Sequence, residues 1–288
     1  MNKLTTIIGV LLLIFTSCSE NETKEPTEEP TEEPAKEPTK ENSKLLIKTI
    51  QEISLSSGLS TTFTYDGFKI KEASTIGINV GQYKITYTYT GDLITQEDGY
   101  INDILYVSNE YTYENNKLKT AIFKNTNSGT IFPPMNETKL VYNYLPENIV
   151  EINSYTFINN WQQSQFTPKV KVYFSGDNII KRENINPDGK VTSVVDYKYD
   201  NTPNIYLNII GFNKLFFKND FTNNFNRHFF IQGISNANNL IHFKNTINGI
   251  VAEAERYGYN TNLDGYPKEK LSYYDSNRYL VEKMYTYY

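Results

Sequence analysis

A short aromatic unit recurs along this chain and limits what it can fold into. In each copy two aromatic or apolar residues flank a polar residue, and turn-forming residues and an apolar residue follow. The copies are FTYDGFKIKE, YTYTGDLITQ, YTYENNKLKT, YNYLPENIVE and VYFSGDNIIK, beginning at Phe63, Tyr87, Tyr111, Tyr142 and Val172, with further copies from Tyr257 and Tyr273. Apolar and polar residues alternate with period two, as in KITYTYT (Lys84–Thr90). Such alternation is typical of β-strands with one buried face, so the repeat predicts a mainly all-β fold.

The spacing inside the unit predicts hairpins. The last aromatic residue is followed five residues later by a large apolar residue, and positions i and i+5 face each other when two turn residues close a hairpin. Such cross-strand pairs contribute about 0.2–1 kcal/mol each. The implied turns, Gly91-Asp92, Asn115-Asn116 and Gly176-Asp177, tolerate the positive φ of tight hairpins. The predicted pairs are Tyr65 with Ile70, Tyr89 with Ile94, Tyr113 with Leu118, Tyr144 with Ile149, Phe174 with Ile179, and Tyr274 with Tyr279.

The turn after Tyr144 breaks this rule. It contains Pro146, and proline cannot adopt positive φ. We therefore expect a longer turn or one of another type there.

The units recur every 24 residues at first, between Tyr65, Tyr89 and Tyr113. Two strands and two turns fit this period, which indicates an array of similar units. We expect successive antiparallel hairpins to form a long twisted meander sheet. The pattern leaves open whether that sheet closes into a barrel, spirals or stays open.

One segment departs from the strand pattern. Thr202 and Pro203 fit the N-cap and first position of a helix. Apolar residues with helical spacing follow, namely Ile205, Ile209, Phe212 and Phe216. They predict one short helical insertion near 204–217 that covers a face or an end of the sheet.

The N-terminus predicts export and a lipid anchor. Lys3 precedes an apolar run, Leu4–Phe15, which is typical of a signal peptide and shorter than the roughly 20 residues that span a bilayer. Cys18 is the only cysteine of the 288-residue chain, so no intramolecular disulfide is expected. The sequence FTSC resembles the lipobox of bacterial lipoproteins, which implies a signal peptide over 1–17 and a lipid on Cys18. The alternative is an ordinary cleaved signal that contains a cysteine.

Residues 18–44 predict the anchor and a disordered linker, because Glu-Pro recurs and apolar residues are nearly absent. Extended at about 3.1 Å per residue, residues 24–40 would reach roughly 50 Å. The acidic residues after Cys18 resemble the surface-export signal of Bacteroidota lipoproteins. This resemblance favours the cell surface over the periplasmic face of the outer membrane. A single β domain is predicted over 45–288.

The charge distribution argues against nucleic acid as a partner. The whole chain carries −5. Because nine Glu and four Lys lie in residues 19–44 and Lys3 adds one positive charge, residues 45–288 keep a net charge of only about −1. Nucleic-acid binding generally needs a basic patch, and the sequence contains no dense cluster of Lys and Arg.

The repeat units resemble the tyrosine–aspartate (YD) repeat of large bacterial surface proteins. Together with the lipobox, the acidic linker, the segment YDNTPNIYLNIIGFNKL and the closing YGYNTNLDGYPKE, they are similar to a family of Bacteroidota lipoproteins of unknown function. The resemblance spans nearly the whole chain, although YLPEN departs from the Asp-x-x-Gly form. It implies a fold and a location but no catalytic residues.

Motifs for catalysis and cofactors are nearly absent, so we predict no cofactor and favour a non-catalytic protein. The two histidines, His228 and His242, lie in the irregular insertion and are expected to be loop residues. NINPDG (Asn184–Gly189) and NTNLDG (Asn260–Gly265) resemble the start of a calcium loop. Each has one carboxylate and lacks the Glu required at position twelve, so hairpin turns are the favoured interpretation.

Two further sets of side chains are candidate sites. Glu97, Glu151 and Asp196 are candidates for the carboxylate pair of a polysaccharide hydrolase, but most such residues are expected on the solvent face of strands. Trp161 is a candidate platform for a sugar or peptide. The favoured alternative is that it anchors a connection against the sheet.

The sequence thus predicts a surface lipoprotein that binds a glycan or an envelope protein. The alternatives are a surface hydrolase and a periplasmic envelope-assembly factor.

Overall fold

A computed structural model describes residues 44–53, 58–77, 81–125, 137–157, 160–164, 169–216, 236–273 and 279–288. The predicted signal peptide, Cys18 and nearly all of the predicted linker lie outside these residues, as do His228 and Tyr274. Among the described residues, no helix has the length and apolar character needed to cross a membrane.

The described chain folds almost entirely into β-strands, as the alternating pattern predicts. The strands are β1 (Ile47–Glu52), β2 (Leu59–Asp66), β3 (Lys69–Gly77), β4 (Gln82–Thr90), β5 (Leu93–Ile101), β6 (Ile104–Glu114), β7 (Lys117–Asn125), β8 (Thr138–Leu145), β9 (Ile149–Phe157), β10 (Trp161–Gln163), β11 (Lys169–Ser175), β12 (Asn178–Ile185), β13 (Val191–Pro203), β14 (Asn238–Ile247), β15 (Ile250–Thr261), β16 (Pro267–Tyr273) and β17 (Tyr279–Tyr287).

The sheet closes into a sixteen-stranded antiparallel barrel. Apart from β10, strands consecutive in sequence pair with one another. β1 pairs with both β2 and β17, with Ile50 opposite Thr61 on one side and Tyr285 on the other. The short β10 pairs only with β9, at residues 155–157, and β11 pairs with the same edge of β9 at residues 149–153. The prediction of consecutive antiparallel hairpins is therefore confirmed, and the meander, whose closure the sequence left open, closes into a barrel and does not stay an open sheet. Closure removes the two unpaired edges that an open sheet would expose.

The hairpins have the predicted register at four of the six pairs. Tyr65 lies opposite Ile70, Tyr89 opposite Ile94, Tyr113 opposite Leu118, and Phe174 opposite Ile179.

Of the other two pairs, one differs from the prediction, and the other includes Tyr274, which lies outside the described residues. Tyr144 lies opposite Val150, not Ile149, because the turn that contains Pro146 has three residues; its Glu147 and Asn148 have positive φ. The longer turn expected there is confirmed, and the pair predicted for Tyr144 is wrong. Tyr279 lies opposite Tyr273.

A β-bulge follows the turn in each of the four hairpins with the predicted register. One extra residue stands on the returning strand, so that Thr112 lies opposite Thr120 while the adjacent Tyr113 lies opposite Leu118. Bulges bend a strand and increase its twist. Their repetition at one end of successive hairpins is a local cause for the sheet to curl until its edges meet. The extra residues are Lys71, Thr95, Lys119 and Ile180.

Tyrosine hydroxyl groups join several hairpins to their neighbours at this same end. Tyr113 Oη donates to the Ile94 carbonyl at 2.7 Å, and the Ile70 amide donates to Tyr89 Oη at 3.2 Å. The bonded residue is therefore the apolar partner from the preceding hairpin. We call these bonds the tyrosine ladder. Four further bonds belong to it, from Tyr65 to Ile47, Tyr199 to Ile179, Tyr259 to Leu240 and Tyr287 to Pro267.

The apolar core lies inside the barrel, and the outer face is mainly polar with some exposed apolar side chains such as Ile76. In β4, Ile85 and Tyr87 are buried in the core, and Lys84, Thr86 and Thr88 alternate with them on the outer face. The inward-facing residues of most strands join one continuous core cluster.

The predicted helix near 204–217 is largely wrong. Thr202 and Pro203 end strand β13, and the chain then makes a series of turns with only a 3-10 helix, Phe212–Lys214. Gly211, with φ 85°, precedes this helix, and a Cβ there would lie 3.1 Å from the Asp92 carbonyl oxygen. The apolar residues identified in the sequence are nevertheless buried or half-buried. They pack inside one end of the barrel, as the prediction that the segment covers an end of the sheet requires.

Candidate functional site

Residues 204–216 close one mouth of the barrel, and we call them the plug. The Ile210 amide donates to the Phe68 carbonyl at 3.0 Å, and Tyr89 Oη donates to the Ile210 carbonyl at 3.0 Å. The side-chain amide nitrogen of Asn208, Nδ2, donates to the Leu45 carbonyl at 2.8 Å. These bonds tie the plug to the β2–β3 turn, to β4 and to the residues just before β1.

Phe216 supplies the aromatic centre of the plugged mouth. Its ring lies 5.4 Å from that of Phe174 and 5.7 Å from that of Tyr142, both edge to face, and 6.5 Å from that of Tyr144. Aromatic pairs in this geometry contribute about 0.5–1.5 kcal/mol beyond their buried area. The plug is therefore held chiefly by apolar and aromatic packing.

A cavity of about 340 Å³ lies beside Phe216, between the plug and the turns that join β6 to β7, β8 to β9 and β11 to β12. We call it the mouth cavity. Its floor is apolar and aromatic, including Leu118, Tyr144 and Phe174. Its polar lining comes from asparagine side chains and three charged residues, namely Asn116, Asn148, Asn204, Asn213, Asn236, Lys117, Asp177 and Lys214.

Lys117 extends over one aromatic wall of the cavity. Its ammonium group lies 4.9 Å from the centre of the Tyr144 ring, a cation–π contact. Burial raises the pKa of Tyr144 to about 12. The phenol therefore stays neutral at physiological pH and can act as both donor and acceptor.

A second polar group lies inside the barrel wall formed by β15, β16, β17 and β1. Lys270 pairs with Glu282 at 2.9 Å, Ser272 donates to the same carboxylate at 2.6 Å, and Lys283 pairs with Glu52 at 2.7 Å. Burial lowers the pKa of Lys270. Burial works against ionisation of Glu282 too, but the charge of Lys270, the hydrogen bonds from Ser272 and Lys270 and the charge of Lys283 together outweigh it, so the pKa of Glu282 is lowered. The ion pairs are charge-balanced, which fits a structural role.

Glu97, in β5, is buried, so the expectation of a solvent-facing residue is wrong for it. Tyr111 Oη donates to its carboxylate at 2.6 Å, and Asn109 lies 3.4 Å away. Burial, followed by the Glu97 charge, raises the pKa of Tyr111. Glu151 instead pairs with Lys169 on the outer face, and Asp196 is exposed.

Trp161 lies in the short strand β10. Its ring stands edge to face with that of Phe157 at 5.2 Å, and the Lys139 ammonium group lies 5.6 Å from its centre. These contacts fit the anchoring interpretation, since both neighbours belong to barrel strands.

The two calcium-like stretches are hairpin turns, as the sequence favoured. Asn186 Oδ1 accepts the Lys190 amide at 2.8 Å, and Asn262 Oδ1 accepts the Tyr266 amide at 3.0 Å. His242 lies in β14, not in a loop as expected, and its Nδ1 contacts the Glu255 carbonyl. Within the described residues no group of three His, Cys, Asp or Glu side chains is arranged to hold a metal ion.

Sequence reasoning missed the mouth cavity and the tyrosine ladder. The spacing of the repeat contained a signal for the ladder. The units recur every 24 residues, and within a unit the apolar residue follows the tyrosine by five, so this apolar residue lies 19 residues before the tyrosine of the next unit, as Ile94 does before Tyr113. The cavity had none, because its lining comes from three separate hairpins and the plug.

Comparison with solved structures supports the barrel as a known architecture. A porin-like protein from Bacteroides vulgatus superposes with a TM-score of 0.52 at 14% identity, covering 85% of this chain and 99% of that one. A porin-like protein from Bacteroides uniformis has a TM-score of 0.40 at 11% identity, covering 83% and 95% of the two chains. No protein-family model and no curated protein matches the sequence. At this identity the first likeness concerns the fold alone.

Proposed function

We propose that this protein is a lipid-anchored, non-catalytic binding module whose barrel stands in water beside the outer membrane. The observation that carries this proposal is the polarity of the barrel wall. A barrel that spans a bilayer presents an apolar band outward, whereas in this barrel the core cluster of apolar residues points inward and ion pairs lie on the outer face.

Ion pairs cross the outer face where a membrane barrel would contact lipid. Lys124 pairs with Glu110 at 2.5 Å, and Lys181 pairs with Glu183 at 2.9 Å. An outward Lys near the bilayer midplane costs about 2–4 kcal/mol. Charges of this kind on several strands would make insertion unfavourable, while in water they cost little.

The anchor supplies membrane attachment without insertion of the barrel. Lipid on Cys18, joined through the extended linker, would hold the domain at the membrane. The Bacteroides origin of the structural neighbours is consistent with the resemblance to Bacteroidota lipoproteins. The acidic linker favours the cell surface.

The mouth cavity is the proposed ligand site. It combines an aromatic floor with a polar rim, the usual composition of a small-ligand pocket. The proposed ligand is a component of the envelope or its surroundings, and Trp161 remains a secondary candidate contact.

Exchange of the anchor tests the placement. The native signal and Cys18 are replaced by a signal peptide that is removed during ordinary export, and the membrane fraction is washed with alkaline carbonate. We expect the native chain to stay in the membrane fraction and the exchanged chain to become soluble. An exchanged chain that resists the carbonate wash would show that the barrel itself is inserted and would refute the proposal.

Protease added to intact cells then distinguishes the cell surface from the periplasmic face of the outer membrane, because a surface protein is cut and a periplasmic one is protected.

The binding role is tested by retention of solubilised envelope glycans and proteins on the purified native chain. Turnover of a polysaccharide without retention would favour the hydrolase.

A further inference from the structure

We infer that the mouth cavity binds a carbohydrate, with Asn116 and Asn148 hydrogen-bonding its hydroxyl groups. The inference rests on the proposed function and names the ligand class of the same site. It follows from the chemistry of the lining, from the shape of the site and from the closed sheet.

The polar lining matches hydroxyl groups better than charged groups. Five asparagine side chains border the cavity, and each carboxamide offers two donor hydrogens and an acceptor oxygen. A sugar hydroxyl also donates and accepts, so amides can pair with it in either sense. The charged residues at the cavity, Lys117, Lys214 and Asp177, sum to a single positive charge, which suits a neutral or weakly acidic ligand.

Two of the amides belong to exposed turn residues. Asn116 and Asn148 lie at the tips of neighbouring hairpins, with φ of 61° and 56°. Two others already serve the fold, because Asn204 Oδ1 accepts the Tyr206 amide and Asn236 Oδ1 accepts the Ile179 amide. These bonds orient the carboxamides at the cavity wall.

The floor of the cavity offers flat apolar surfaces. Tyr144, Phe174 and Phe216 line it, and their rings are fixed by mutual edge-to-face contacts. The C–H face of a sugar ring is apolar and can pack on such rings while its hydroxyl groups point to the rim. A volume of about 340 Å³ lies within the range of ligand pockets, which begins near 300 Å³.

The sheet itself argues against an extended peptide. Peptides commonly bind by adding a strand to an exposed sheet edge. Each of the sixteen barrel strands pairs with a neighbour on both sides, and the short β10, which pairs with β9 alone, lies at the end of β9 away from the mouth cavity. Side-chain recognition in the cavity is left as the main mode of binding.

The test uses the native chain in detergent and calorimetric titration with neutral oligosaccharides of two to six units, including α-glucans, β-glucans, mannans and xylans. Asn148→Gly removes one amide, and glycine adopts the positive φ of this turn readily. Asn248→Gly is the matched control, because Asn248 has φ 49° in the β14–β15 turn at the opposite end of the barrel. Loss of one hydrogen bond should weaken binding about 2- to 10-fold in Asn148→Gly. The control should bind as the native chain does.

Three results would overturn the inference. If no oligosaccharide of the panel binds, the ligand is not a carbohydrate. If Asn148→Gly and Asn248→Gly bind an oligosaccharide with equal affinity, the sugar does not bind in the mouth cavity. Peptides that compete at the cavity while oligosaccharides fail would replace carbohydrate with a protein ligand and leave the proposed binding function intact. That function fails separately, when the native chain retains no envelope component.

Discussion

The tyrosine ladder predicts that single hydroxyl groups stabilise the closed barrel by similar amounts at different hairpins. Tyr113 is the test case, because its hydroxyl donates to the Ile94 carbonyl at 2.7 Å from a half-buried position. Tyr113→Phe removes this donor and leaves the ring in place. A hydrogen bond of this kind contributes about 0.5–1.5 kcal/mol net, so we expect the free energy of unfolding to fall by about 1 kcal/mol.

The ladder bonds join different hairpins, so their effects should add. Tyr65→Phe and Tyr199→Phe remove bonds of 2.7 Å and 2.6 Å to other strands. Because substitutions at separate sites without shared partners are nearly additive, the triple variant with Tyr113→Phe should lose about 3 kcal/mol. Tyr155→Phe is the control, since Tyr155 lies on the outer face of β9 opposite Lys139.

Equilibrium urea unfolding, followed by circular dichroism and by tyrosine fluorescence, measures these differences. The two probes must give coincident transitions for the free energies to be valid. Ladder variants that unfold at the same urea concentration as Tyr155→Phe would refute the reasoning. The tyrosines would then matter for ring packing and not for their hydroxyl groups.

Two further predictions concern the plug and the ion pairs. Phe216→Ala should lower the free energy of unfolding by about 3–5 kcal/mol, because it removes a buried aromatic ring. Phe68→Ala is the control and should cost far less, because Phe68 is a turn residue that is 40% exposed. Equal urea midpoints for the two variants would contradict this prediction. Glu282→Gln should cost about 1 kcal/mol at pH 7, a value reduced for partial exposure, because Lys270 loses its partner. The pKa of Glu282 is lowered on folding, so its contribution is full above pH 4.5 and is lost as pH falls further. The unfolding free energies of the native chain and Glu282→Gln should therefore converge in acid, and a constant difference would argue against this ion pair.

Much of the barrel could be predicted because its units are local. Tyr89 and Ile94 find each other across a two-residue turn, and the sequence between them contains the information for that contact. Pro146 likewise indicated from the sequence that the turn after Tyr144 differs from the two-residue turns. The helix prediction failed for the opposite reason. The spacing of Ile205, Ile209 and Phe216 suits a helix, but the barrel interior buries the same side chains on a chain of turns.

By itself the sequence determined the strands and the positions of most hairpin turns, since each depends on residues a few positions apart, while the lipid anchor stays a prediction. Only the tertiary structure decided that β1 meets β17, that the plug enters the mouth and that Glu97 is buried. These outcomes depend on contacts between residues far apart in the chain. A period-two pattern states that one face is buried but not what covers it. Bulges and twist accumulated over sixteen strands bring the last edge back to the first, and the inward face then becomes the core.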